Sequence, residues 1–170
     1  GHADLVDLRV AIAESCDTYY YDLAHRMGID TMAGMLAPFG LGERTGIDTT
    51  GEQPGILPTS EWKRRALGEA WYPGETISAG IGQGYMLATP LQLAQATMVL
   101  ANRGQSFVPS VVHHVDDLPV GGVARPFLSM MEEDWEAVVA GMVDVVHSPR
   151  GTAALIARGM DYQMAGKTGT

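Results

Sequence analysis

Apolar positions recur at helical intervals along much of the chain. Leu5, Leu8, Ala11 and Ile12 share one helical face, a stripe that predicts a helix ending near Glu14. A second stripe, Tyr19, Tyr20, Leu23, Ala24 and Met27, follows at once. Asp17 is placed to N-cap this second helix and Gly28 to close it. Ser15-Cys16-Asp17 therefore reads as a tight joint between two helices. Asp30 is suited to cap a short third helix through Leu36, stopped by Pro38 and Gly40. Residues 40–58, rich in Gly, Thr and Pro, predict a long irregular crossing. Thr59 or Ser60 then caps a basic helix over 61–67. Residues 71–84 carry repeated small-residue breaks and read as loop.

The clearest helix comes next. Thr89 is its N-cap, Pro90 its first position, residues 91–102 its body, and Gly104 its stop. The β-branched stretch 107–115 predicts an extended segment, with Pro109 confining it to an edge or turn. Ser129 and Glu132 have the spacing of a capping box for a helix through about His147. The apolar face of that helix is Trp135, Val138, Val139, Met142, Val145 and Val146. Thr152 starts another predicted helix, ending near Gly159. Residues 162–170 read as a strand whose glycines let a second backbone approach.

Composition narrows the classes of function. The 170 residues are 46% hydrophobic and 18% charged, enough for one domain with a sizeable core. A net charge of −9 would repel a phosphate backbone, so no nucleic-acid partner is expected. No apolar run approaches the roughly 20 residues of a membrane span. No signal peptide opens the sequence, so the expectation is either a cytoplasmic protein or a piece of a longer one; the abrupt start and the end in mid-pattern favour the second. The single cysteine, Cys16, excludes an internal disulfide. His25, His113 and His114 lack a partner pattern and read as surface or core residues.

Chemistry concentrates near the two ends. Lys63 and Lys167 are the only lysines, against nine arginines, and only lysine can be tuned to release its proton in a protein. Lys167 lies in Lys167-Thr-Gly-Thr170, where alternation along a strand would put Thr168 and Thr170 on one face. Two hydroxyls so placed suit a carboxylate, and Gly169 leaves room for a substrate backbone to pair at the edge. Ser15 offers a proton-passing hydroxyl with the Asp17 carboxylate two residues on. Singly, these segments read as a Gly-rich turn and a helix cap. The chain also holds one S-x-x-K, Ser60-Glu-Trp-Lys63. It follows Ser15 and runs into Arg64 and Arg65, so it reads as a helix cap followed by a solvated helix end.

The order S-x-D between two helices, then K-T-G-T about 150 residues later, resembles that of penicillin-binding transpeptidases and serine β-lactamases. The likeness extends through Glu14-Ser-Cys-Asp-Thr-Tyr-Tyr-Tyr21, His25-Arg-Met-Gly-Ile-Asp30, Thr45-Gly-Ile-Asp48 and Pro58-Thr-Ser-Glu-Trp-Lys63. It continues through Trp71-Tyr-Pro-Gly-Glu-Thr76, Gly80-Ile-Gly-Gln-Gly-Tyr85 and Thr89-Pro-Leu-Gln-Leu-Ala94. Together these stretches resemble the class B penicillin-binding proteins of the type 2 subfamily, which serve cell elongation in Gram-negative bacteria.

The resemblance implies an α+β penicillin-binding/β-lactamase-like fold, dominated here by the helical lobe with the start of a central antiparallel sheet. Residues 1–170 would be part of a transpeptidase domain, from just before S-x-D to K-T-G-T. The family's nucleophile, the serine of an upstream S-x-x-K, would lie outside them, so this piece alone is expected to be inactive. In the whole enzyme that serine attacks the D-Ala-D-Ala carbonyl of a peptidoglycan stem peptide, and β-lactams acylate it. Ser15 would relay a proton, and Asp17, in place of the commoner asparagine, would hold lysine ammonium groups. Lys167 would supply positive charge. Thr168 and Thr170 would bind the substrate carboxylate, and the Thr170 N–H would contribute to an oxyanion hole. Periplasmic placement at the inner membrane, membrane-protein partners of the elongation machinery and no catalytic cofactor are also implied. Some relatives hold a structural zinc, for which His2 and Cys16 are donors of the right type. Two other outcomes share the motifs: a β-lactamase-like hydrolase and a non-catalytic β-lactam sensor module.

Overall fold

A computed structural model describes residues 5–169. Seven α-helices are assigned within them: α1 (Leu8–Ala13), α2 (Asp17–Met27), α3 (Ile29–Leu36), α4 (Ser60–Leu67), α5 (Pro73–Ala79), α6 (Pro90–Ala101) and α7 (Glu132–His147). A 3₁₀ turn, Ala37–Phe39, follows α3. The short strands β1 (His114–Val115) and β2 (Leu118–Pro119) pair antiparallel. The chain divides into two compact units, one made of Gly1–Asp22 with Met130–Thr170, the other of Leu23–Ser129.

The first unit is built on α1 against α7. Six residues are too few for a helix to persist alone, so α1 depends on its caps and its packing. The Asp7 carboxylate accepts the Val10 N–H at 2.8 Å, the N-cap arrangement. Ile12, Val145 and Val146 form the buried centre, with Leu8, Tyr20, Val138, Met142 and Met164 packed around it. Each such aliphatic burial contributes roughly 1.5–3 kcal/mol. The helices approach closely at Gly141, where an added Cβ would lie 2.9 Å from Ile12 Cδ1. Arg9 grips the Asp144 carboxylate with Nε and, at 3.0 Å, a terminal guanidinium nitrogen.

In the second unit Ala24, Ile29, Met32 and Ala79 form the core, with Met27, Leu36 and Trp71 against it. The capping box predicted for α6 is present. Thr89 Oγ1 accepts the Gln92 N–H at 3.1 Å, and Gln92 Oε1 accepts the Thr89 N–H at 2.8 Å. The buried Gln92 amide also donates to the carbonyls of Glu43 and Pro54, both at 2.7 Å. One side chain thus pins the irregular crossing of residues 40–58 to α6. The β1–β2 hairpin turns at Asp116 and Asp117, with φ of 48° and 64°. Two successive left-handed residues match strand twist in a two-residue hairpin.

Several elements differ from the sequence expectation. Residues 71–84 contain α5, because Pro73 occupies its first turn and Glu75 Oε2 accepts the Tyr72 N–H at 2.8 Å. That local cap outweighs the neighbouring glycines. Asp30 lies within the first turn of α3, and Gly28 takes the cap position. Asp17 likewise is the first residue of α2 itself, inside the helix rather than capping it. Thr59, not Ser60, caps α4, its Oγ1 accepting the Trp62 N–H at 2.9 Å. The Ser129–Glu132 capping box does not form; Met131 precedes α7, and three acids fill its first turn. Residues 152–159 make successive turns rather than a helix, and residues 163–169 take no regular element.

Candidate active site

The site is assembled from the end of α1. After Ala13 and the C-cap Glu14, Ser15 adopts a left-handed conformation with φ of 53°. The Cys16 N–H reaches back to the Ala11 carbonyl at 2.9 Å, and the Ser15 N–H to Ile12 at 3.3 Å. These two bonds define a Schellman closure, whose left-handed position usually belongs to glycine. A serine there carries a steric cost of order 1 kcal/mol, accepted at a position where a hydroxyl is available and glycine would supply none. Asp17, exposed, starts α2 two residues later.

The K-T-G segment is laid against α7 by main-chain contacts. The Gly166 N–H donates to the Met142 carbonyl at 3.0 Å, and the Met164 N–H to His147 Nε2 at 3.0 Å. Lys167 then reaches Ser15, its Nζ donating to Oγ at 2.8 Å and to the Thr168 carbonyl at 3.1 Å. Because the amine donates, the hydroxyl proton of Ser15 is left to point at a third group. Partial burial lowers the Lys167 pKa below the ordinary lysine value, and the Asp17 charge opposes that shift.

Thr168 Oγ1 lies 2.9 Å from Thr152 Oγ1. An added Cβ on Gly169 would meet no atom within 4 Å. Thr170 lies outside the described residues, as does His2. Cys16 is a buried free thiol. Among the described residues no cluster of three or more His, Cys, Asp or Glu side chains is placed to hold a metal, so this donor set does not by itself compose a tetrahedral site.

The S-x-x-K of α4 is committed elsewhere. Ser60 Oγ donates to Asp30 Oδ2 at 2.6 Å. Lys63, expected at a solvated helix end, is 1% exposed. Its Nζ lies 2.5 Å from Glu75 Oε1 and 3.4 Å from Glu69 Oε2, above the Tyr72 ring at 4.5 Å. Desolvation pulls its pKa down, but the hydrogen bonds it donates to Glu75 and Glu69 outweigh this and leave it raised. A fixed ammonium turned toward carboxylates is no base for Ser60. Sequence reading missed this buried pair because Glu75 is twelve residues away, in a stretch without helical signal.

The structure thus sets the Ser15 hydroxyl and the Lys167 amine in contact at the end of α1, with Asp17 two residues on. The model of the penicillin-binding protein transpeptidase domain matches residues 1–170, and the chain belongs to that family. Over its full length it is 40% identical to the peptidoglycan D,D-transpeptidase MrdA of Haemophilus influenzae and 43% identical to MrdA of Acinetobacter baumannii. It spans 27% and 25% of those proteins, about a quarter of their length. Among solved structures, it is similar to PBP2 of Pseudomonas aeruginosa in complex with WCK 5153. The TM-score is 0.91 at 45% identity, covering 97% of this chain and 38% of that one. PBP2 of Helicobacter pylori in complex with MreC matches with a TM-score of 0.88 at 32% identity, over 97% of this chain and 30% of that one. The fold class and the family resemblance drawn from the motifs are both borne out.

Proposed function

We propose that this chain is the part of a peptidoglycan D,D-transpeptidase domain that handles protons and substrate carboxylate, and that a serine outside residues 1–170 is the nucleophile. The observation that carries the reading is the 2.8 Å contact between Lys167 Nζ and Ser15 Oγ, 152 positions apart. The family membership and the 40% identity to MrdA of Haemophilus influenzae across residues 1–170 support it. The commitment of Ser60 and Lys63 to Asp30 and Glu75 supports a nucleophile elsewhere.

In the proposed reaction the nucleophilic serine oxygen bonds to the carbonyl carbon of the penultimate D-alanine of a stem peptide. The amide C–N bond to the terminal D-alanine breaks. The proton displaced from the nucleophile travels through Ser15 to the leaving nitrogen. An acceptor amine on a neighbouring strand then takes the acyl group and restores the serine. Lys167 holds Ser15 by donation and sets positive potential at the substrate carboxylate, while Asp17 counterbalances it. Thr168, Gly169 and Thr170 form the carboxylate and backbone subsite. A β-lactam enters by the same route because its strained amide and carboxylate mimic the D-Ala-D-Ala end. The whole protein is proposed to act at the periplasmic face of the inner membrane among elongation proteins, in keeping with the MreC complex of the Helicobacter relative.

Labelled penicillin tests the reading. The full-length protein is expected to form a stable covalent adduct that residues 1–170 alone do not form. Labelling at Ser60 would overturn the assignment of the nucleophile, and rapid turnover of the β-lactam would turn the reading toward a hydrolase.

A further inference from the structure

Between α7 and the K-T-G segment the chain turns back over the end of α1. Gly151 makes the turn feasible: an added Cβ would lie 2.3 Å from the carbonyl oxygens of both Asp144 and Val145. Arg150 pairs with Glu14, its Nε 2.8 Å from Oε1. The Thr152 N–H donates to the Ala13 carbonyl at 3.1 Å, and the Ala153 N–H to Val145 at 2.9 Å. These bonds fix the Thr152 hydroxyl 2.9 Å from that of Thr168. Thr152 is therefore tied through its backbone to a residue two positions before Ser15, and through its side chain to the residue after Lys167.

Each hydroxyl has a single proton to give. A carboxylate only accepts, so Thr168 can bind one only by donating. It can do so while bonded to Thr152 only if Thr152 is the donor of that pair. We propose that Thr152 is a positioning residue for substrate binding: it donates to Thr168 and leaves the Thr168 proton aimed at a carboxylate. Thr152 does not touch the reacting atoms. Main-chain anchorage of Thr152 to Ala13 and of Ala153 to Val145 holds the Thr152 Oγ1 beside Thr168. The inference rests on the transpeptidase reading, in which Thr168 meets the substrate's terminal carboxylate.

The test uses the full-length protein, a labelled penicillin and the methyl ester of the same penicillin. Thr152→Val keeps the shape and removes the hydroxyl; Thr152→Ser restores it. Expected is a roughly three- to tenfold weaker pre-acylation complex with the acid for Thr152→Val, the loss of the neutral hydrogen bond that keeps the Thr168 proton aimed at the carboxylate. The ester, which has no charge to recognise, should change by less than about twofold. Thr152→Ser should recover the preference for the acid. Equal slowing of acid and ester would make Thr152 a packing residue and overturn the inference, as would no change in either or a serine variant that behaves like valine. Wild-type protein that takes no label, or Lys167→Ala protein that labels at the wild-type rate, would instead bring down the underlying reading.

Discussion

The amine of Lys167 donates to the hydroxyl of Ser15 at 2.8 Å, and both side chains stand on backbone held by α1 and α7. Ser15 is the left-handed residue that closes α1. Lys167 follows Gly166, whose N–H is bound to α7 at the Met142 carbonyl. The geometry of the pair therefore depends on how closely these two helices pack.

Ser15 sits where glycine would be more comfortable. Ser15→Gly should be more stable than Ser15→Ala by about 1 kcal/mol, because only glycine relieves the left-handed backbone without cost. Both should lose acylation alike, since neither has a hydroxyl. Thermal unfolding and penicillin labelling of the two full-length variants check this; an alanine variant as stable as the glycine one would contradict the strain argument.

Gly141 sets the helix spacing. Gly141→Ala places a methyl 2.9 Å from Ile12 Cδ1 and should destabilise by about 1–3 kcal/mol through overpacking. Ile12→Ala makes room, so the double variant should be more stable than the sum of the single losses by about 1 kcal/mol. Denaturant unfolding measures the coupling. A slower acylation rate in Gly141→Ala is also expected, because α1 carries Ser15.

Lys63 and Glu75 form a buried pair, and removing one partner strands the other. Lys63→Met should lower the melting temperature by several degrees, and adding Glu75→Gln should recover part of the loss. Desolvation raises the Glu75 pKa, but the hydrogen bonds from Lys63 and the Tyr72 N–H outweigh it and leave the value below the ordinary 4.5. A depressed carboxylate contributes stability above its unfolded value and loses it as pH falls through its folded value. The difference in melting temperature between wild type and Glu75→Gln should therefore be full at neutral pH and shrink as pH drops below 4.5. A difference independent of pH would contradict the ion-pair account.

Ser15 and Lys167 were legible in the sequence because both lie in short motifs whose order and separation are unusual in combination. The helical lobe was legible where caps and periodicity agreed, as at Thr89-Pro90 and along the Trp135 to Val146 face. Neither signal reaches contacts made across the fold. Lys63 looked solvated because Arg64 and Arg65 follow it, yet its side chain points to the opposite face of α4 and meets α5. Helix α5 was hidden by Gly74 and Gly80, since one carboxylate, Glu75, caps the Tyr72 N–H. Thr152 resembled a helix start, but its N–H is taken by Ala13 from a distant element. Residues 163–169 alternate like a strand, but a strand needs a neighbour to pair with, and α7 supplies their backbone contact instead.

Ser15 and Lys167 are proposed to work as one proton-handling unit in acyl transfer. The most direct measurement is the second-order rate of penicillin acylation for full-length wild-type, Ser15→Ala, Lys167→Ala and the double variant. A unit predicts a fall of about 10²–10⁴ for either single change and little further loss in the double. Single variants that acylate within about twofold of wild type, or losses that simply multiply in the double, would contradict it.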